Sequence, residues 1–107
     1  MVTIRIGADV RDIEDVDPSW IANQVGGRRE ESGTVCVEVA IQQPEANLRL
    51  ATPACSGAGG GTRRLTALES EIVDLWKRHR LDTSDFSVGD LIAFVKQLLR
   101  LLKLKAA

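Results

Sequence analysis

Apolar and polar residues alternate strictly through Thr34-Val35-Cys36-Val37-Glu38-Val39-Ala40-Ile41, putting four β-branched side chains on one side and smaller or charged ones on the other. That period of two predicts a strand with one buried face. A second short alternation, Asn47-Leu48-Arg49-Leu50, follows after a polar connection that contains Pro44. Proline presets φ for the second position of a turn and asparagine tolerates a left-handed backbone, so the pair reads as a hairpin with Asn47 in its turn. With Ile41 opposite Leu48, Val39 meets Leu50 and Glu38 lies diagonal to Arg49 on the other face. Val2-Thr3-Ile4-Arg5-Ile6, ending at Gly7, is the expected neighbour of this hairpin. By contrast, the stretch from Asp9 to Asp17 is so acidic that it reads as a solvated loop, and it lacks the Gly and Glu that a calcium loop requires.

The remaining pattern is helical. Asp17-Pro18 is a helix start, with Asp17 as cap and Pro18 at the first position, and Gly26-Gly27 predicts the end of that helix near Val25. Residues 54–64 shift to small residues and read as a glycine-rich linker. Thr66-Ala67-Leu68-Glu69 and Ser87-Val88-Gly89-Asp90 are capping boxes, predicting helices over 67–80 and from 88 to about Leu104. The second carries Val88, Leu91, Ile92, Val95, Leu98, Leu99 and Leu102 on one face, with Phe94 and Leu101 on its flank. So wide a stripe exceeds what a surface helix needs. The expected fold is α+β, a small three-stranded, mainly antiparallel sheet in the order β-α-β-β, covered by a C-terminal helical hairpin. One domain is expected over 1–107, with a β-rich half (1–53), the linker (54–64) and the helical hairpin (65–107).

A chain of 107 residues can bury a core without metals or disulfides. The formal net charge of −1 is unevenly distributed, about −4 over residues 1–61 and +3 over 62–107. That asymmetry favours attraction between the halves, or between copies, over a nucleic-acid surface. Two widely separated cysteines, with no apolar targeting segment behind Met1, fit a reducing cytoplasm. No apolar run approaches the roughly 20 residues that span a bilayer.

Candidate chemistry is thin. Gly57-Ala58-Gly59-Gly60-Gly61 follows a strand and precedes a helix, as phosphate-cradling loops do, but Arg63-Arg64 stands where a P-loop needs Lys and a hydroxyl residue. Cys36, Cys55 and His79 are one ligand short of a closed zinc site, and nothing orients Cys55 and His79 as nucleophile and base. Leu65-Thr66-Ala67-Leu68-Glu69-Ser70-Glu71-Ile72 resembles the opening of the DNA-binding domain of LuxR-type regulators. That resemblance implies a major-groove helix, whereas one long leucine-rich helix follows the turn here. Lys96, Arg100, Lys103 and Lys105 beside leucines also fit a membrane-surface helix. No catalytic residue, cofactor, nucleotide or metal site is therefore expected, and membrane association is not favoured. The expected function is a non-catalytic, cytosolic, bacterial-style protein–protein interaction module that self-associates as a homodimer, or binds another protein, through Phe94, Leu101 and Leu104. The alternative is a small nucleic-acid-binding regulator using the basic helical half.

Overall fold

A computed structural model describes residues 1–55, 64–83 and 85–103. Along the chain come β1 (Val2–Ile6), β2 (Asp9–Asp12), a single 3₁₀ turn (Ile13–Asp15), α1 (Pro18–Ser32), β3 (Val37–Gln42), β4 (Asn47–Ala51), α2 (Ala67–Arg78) and α3 (Val88–Leu101). Among the described residues the fold is α+β, with an antiparallel sheet and three α-helices. The sheet has four strands rather than the three expected, in the order β2-β1-β3-β4.

Register follows the alternation. Val2, Ile4 and Ile6 of β1 lie opposite Ile41, Val39 and Val37 of β3, and all six are buried. Ile41 pairs with Leu48 and Val39 with Leu50, the pairing that the two alternating runs predict. The connection is a turn over Gln43–Ala46, in which Ala46 N–H donates to the Gln43 carbonyl at 3.2 Å and Pro44 takes the second position. Asn47 departs from its predicted place in this turn: it is the first residue of β4, opposite Gln42.

The missed strand is β2, and its residues explain why. Gly7, at φ 65°, opens a two-residue link that puts Ile6 opposite Asp9 and Ile4 opposite Arg11. Positive φ at the first linking residue is what a tight hairpin asks of glycine. A Cβ at Gly7 would also lie 2.4 Å from Arg28 Nε, so the turn carries a side chain of α1 on its back. Every residue of β2 is exposed, because the inward position opposite Ile4 holds Arg11 instead of an aliphatic residue. The Arg11 guanidinium lies 5.0 Å from the centre of the Trp20 ring, so the strand edge is closed by a cation on an aromatic face.

The helix α1 is capped as its sequence predicts, with the Asp17 carboxylate accepting from Trp20 N–H at 2.8 Å. It does not stop at Gly26-Gly27 but continues to Ser32 and ends on Gly33, which is left-handed at φ 77°. What carries the helix past two poor helix formers is tertiary. Arg28 packs on Gly7, and Arg29 donates to the Phe86 carbonyl with its guanidinium 4.7 Å above the Phe86 ring. Two anchored arginines outweigh the roughly 1 kcal/mol that each interior glycine costs.

One hydrophobic cluster joins the sheet to the helices. The helix α1 packs on β1, α2 on β4, and α3 lies against both α1 and α2. On α3, Leu91, Val95, Leu98 and Leu99 are buried as the stripe predicts, but so is Phe94. Its ring meets Trp76 edge to face, with centroids 5.2 Å apart and planes at 82°. The flank assigned to Phe94 is thus the side on which α2 sits, and this side chain belongs to the protein's own core.

Two outcomes test this packing. Val37→Asp puts an unpaired charge at a position with no exposure, at a cost of several kcal/mol that unfolds the domain, whereas Glu38→Ala, one residue along on the open face, costs about 1 kcal/mol or less. Thermal melts that ranked these two the other way would contradict the register. Gly27 has helical backbone and open space where its Cβ would sit, so Gly27→Ala is expected to stabilise by about 0.5–1 kcal/mol in chemical denaturation.

Candidate functional site

Away from the helices, the sheet presents its alternate residues, among them Thr3, Arg5, Glu38, Ala40 and Arg49. Glu38 receives Arg5 at 3.4 Å and Arg49 at 3.6 Å, a three-residue charge row across β1, β3 and β4. With side chains 22 to 70% exposed these pairs are screened, and each contributes about 0–1 kcal/mol.

At the end of this face, Cys36 and Cys55 form a disulfide, with Cα atoms 4.7 Å apart. Although the two cysteines are 19 residues apart in the sequence, the turn after β4 carries Cys55 back to the start of β3. Thr52, buried, donates from its hydroxyl to the Val35 carbonyl at 3.2 Å and accepts from Val37 N–H at 3.0 Å, while its own N–H donates to the Val37 carbonyl at 3.0 Å. The sheet pairing thus continues one residue beyond β4 through a side chain. Arg5 reaches the same corner, its guanidinium NH₂ 3.8 Å from Cys36 Sγ, while its Nε is buried without a hydrogen-bond partner.

A second polar arrangement lies where α2 begins. Thr66 and Glu69 form the predicted capping box: Glu69 N–H donates to the Thr66 hydroxyl at 3.1 Å and Thr66 N–H to Glu69 Oε1 at 2.8 Å. Glu69 is only 1% exposed, because its other oxygen, Oε2, accepts from Asn47 N–H of β4 at 2.8 Å. One carboxylate therefore caps a helix and also fastens it to the sheet. Sequence reasoning found the cap but had no signal for the second bond. The Ser87–Asp90 box at the head of α3 stays at the surface. There the Ser87 backbone N–H, with help from its hydroxyl and from the charges of His79 and Arg80, holds the Asp90 carboxyl below the usual carboxylate range against the opposing effect of desolvation.

Around α3 the surface is grooved. Leu101, half-buried, lines two clefts: one of about 300 Å³ with Glu71, Asp74, Leu75, Arg78 and Gln97, and one of about 220 Å³ with Gln43, Glu45, Leu68, Leu102 and Lys103. A third cleft, of about 280 Å³ and mostly apolar, runs between Pro18 and Ile21 of α1 and Ile92, Val95 and Leu99 of α3.

Of the three side chains expected to form the interaction surface, the structure therefore buries Phe94, leaves Leu101 at the surface, and does not bring the two together on one exposed flank. Leu104 lies outside the described residues, as do the glycine-rich segment from 56 to 63 and Lys105. Cys36 and Cys55 are bonded to each other. His79 caps the end of α2, and its Nε2 is buried without a hydrogen-bond partner. Among the described residues no group of three or more His, Cys, Asp or Glu side chains is placed to hold a metal ion. The apolar face of α3 that a membrane surface would take up is covered by α1 and α2, while Lys96, Arg100 and Lys103 point to solvent.

Comparison with protein-family models, with curated proteins and with solved structures returns no match.

Removing the shared carboxylate is the direct test of this seam. Glu69→Ala orphans the N–H groups of Thr66 and Asn47, and a loss of about 2–4 kcal/mol is expected, each stranded donor costing about 1–3 kcal/mol before relaxation. Ser87→Ala, which removes a purely local cap, should cost about 1 kcal/mol. Equal losses for the two variants in urea unfolding would show that Glu69 does no more than cap its helix.

Proposed function

We propose that this chain is a non-catalytic protein–protein interaction module that associates, with a second copy of itself or with another protein, through the outer end of α3. The observation that carries this reading is the position of Leu101, which is half-buried and lines two clefts, beside half-buried Leu102 and Leu68. Apolar side chains grouped in this way at the surface mark interaction sites. Their surroundings suit a protein partner: Glu71, Asp74 and Arg78 line one cleft, and Glu45 and Lys103 line the other. A mixed rim of this kind confers register rather than general attraction to polyanions. The same mixing counts against the nucleic-acid reading, because acidic side chains interrupt the basic surface of the helical half.

No helix among the described residues is long and apolar enough to cross a membrane. A cytoplasmic setting is compatible with Cys36 and Cys55 only if their bond is formed and broken reversibly, since cytosolic disulfides are transient ones.

Light scattering of the wild-type protein and of Leu101→Ser decides the reading. A dimeric wild type is expected, and a variant that stays folded and dissociates at about thirtyfold lower dilution, since each of the two protomers loses about 1 kcal/mol of apolar contact. A wild type that is monomeric and captures no partner would overturn it. DNA binding with a steep negative dependence on salt would favour the regulator instead.

A further inference from the structure

We propose that the Cys36–Cys55 disulfide is a redox latch, opened by a dithiol that attacks Cys36, and that the fold stands in both the latched and the unlatched state. Three features carry this. First, the two sulfurs are unequal. Cys36 is half-buried on the open face of the sheet, outside the helical layer, whereas Cys55 is 8% exposed, so an incoming thiolate meets Cys36 first. Second, Arg5 lies beside that sulfur. Its NH₂ is 3.8 Å from Cys36 Sγ, and its buried Nε has no hydrogen-bond partner, although Glu38 shares the guanidinium at 3.4 Å. Third, the end of the sheet has a fastening besides this bond: Thr52 bonds Val35 and Val37 through its N–H and hydroxyl, and its carbonyl also accepts from Cys55 N–H at 3.0 Å.

The exchange runs in two balanced steps. A thiolate of the dithiol attacks Cys36 Sγ, a mixed disulfide forms at Cys36, and Cys55 leaves as a thiolate that takes up a proton. The second thiol of the dithiol then loses its proton and attacks its partner sulfur, and Cys36 leaves as a thiolate next to the Arg5 guanidinium. Two electrons pass from the dithiol to the protein, and the dithiol departs as its own disulfide. Leaving as a thiolate is faster the better that charge is stabilised, which assigns Arg5 a positioning role in the second step. Opening the latch frees Pro53, Ala54 and Cys55, both prolyl and alanyl side chains being already exposed, and so releases the point from which the chain leaves the sheet after Thr52.

The test uses the full chain in glutathione buffers of graded reduced-to-oxidised ratio, with acid quenching, alkylation and mass spectrometry, and with circular dichroism on the same samples. Expected are interconversion of disulfide and dithiol forms within the range of the buffers, a native spectrum in both, and a trapped glutathione adduct on Cys36. Reduction by dithiothreitol should be slowed several-fold in Arg5→Gln, with accumulation of the Cys36 mixed disulfide, and cleavage by a nonspecific protease at Pro53, Ala54 and Cys55 should quicken only after reduction. A disulfide that yields only in denaturant, a reduced protein that unfolds, an adduct on Cys55, or an Arg5→Gln variant reduced at the wild-type rate would each overturn the proposal. A folded Cys36→Ser, Cys55→Ser variant with the proteolysis pattern of the reduced protein completes the support, and an unfolded one counts against it.

Discussion

Everything in this protein answers to one requirement, that the aliphatic face shared by β1 and β3 be covered from one side. Val2, Ile4, Ile6, Val37, Val39 and Ile41 form three cross-strand pairs at the centre of the sheet. Each side chain of this size is worth about 1.5–3 kcal/mol when taken out of water. No single helix is wide enough to cover all six. The chain therefore supplies α1 from the connection between the two central strands and α2 from beyond β4, and fills the space against them with α3. Trp76 and Phe94 join α2 to α3, and Arg29 joins α1 to the approach to α3.

The two polar residues buried almost completely among the described residues, Glu69 and Thr52, each have two tasks. Glu69 satisfies the free end of α2 and the first amide of β4 with one carboxylate, and Thr52 continues the ladder of β3 where β4 has run out. Each is almost inaccessible, and each is partnered. A buried polar group with a single partner would leave the rest of its hydrogen-bonding capacity unpaid; one that bridges two elements fixes their relative position as well. The disulfide differs in kind. By closing a loop of 19 residues it lowers the entropy of the unfolded chain, an effect of about 3 kcal/mol in the loop-closure account, while adding little to the packed interior.

Much of this arrangement was legible in the sequence where the signal is local. Alternation gave the register of β3 and β4, and Thr66–Glu69 and Ser87–Asp90 gave both helix starts. Three elements were not legible, each because a distant contact decides it. The strand β2 has no buried apolar residue to announce it, since Arg11 on Trp20 does that work. The helix α1 runs through Gly26 and Gly27 because Arg28 and Arg29 find Gly7 and Phe86 elsewhere in the fold. Phe94 sits on the flank of a helical wheel and is buried only because Trp76 arrives there. Of the candidate surface, neither the two clefts beside Leu101 nor the meeting of Cys36 and Cys55 has a local signature in the sequence.

The exposed strand β2 decides how this sheet behaves in a crowded solution. It forms one margin of the sheet and carries Asp9, Arg11 and Asp12 in four residues, followed at once by Glu14 and Asp15. An unpaired strand margin is a template for any extended chain that drifts past, and continuous growth from such a margin is how fibrils begin. A newcomer pairing here would have to strip water from a row of charges and set its own residues against carboxylates at both ends. The penalty is local and independent of how stable the fold is, so it guards the protein even while the sheet is still assembling. The feature that hid this strand from the sequence pattern is thus also what keeps it from acting as a seed.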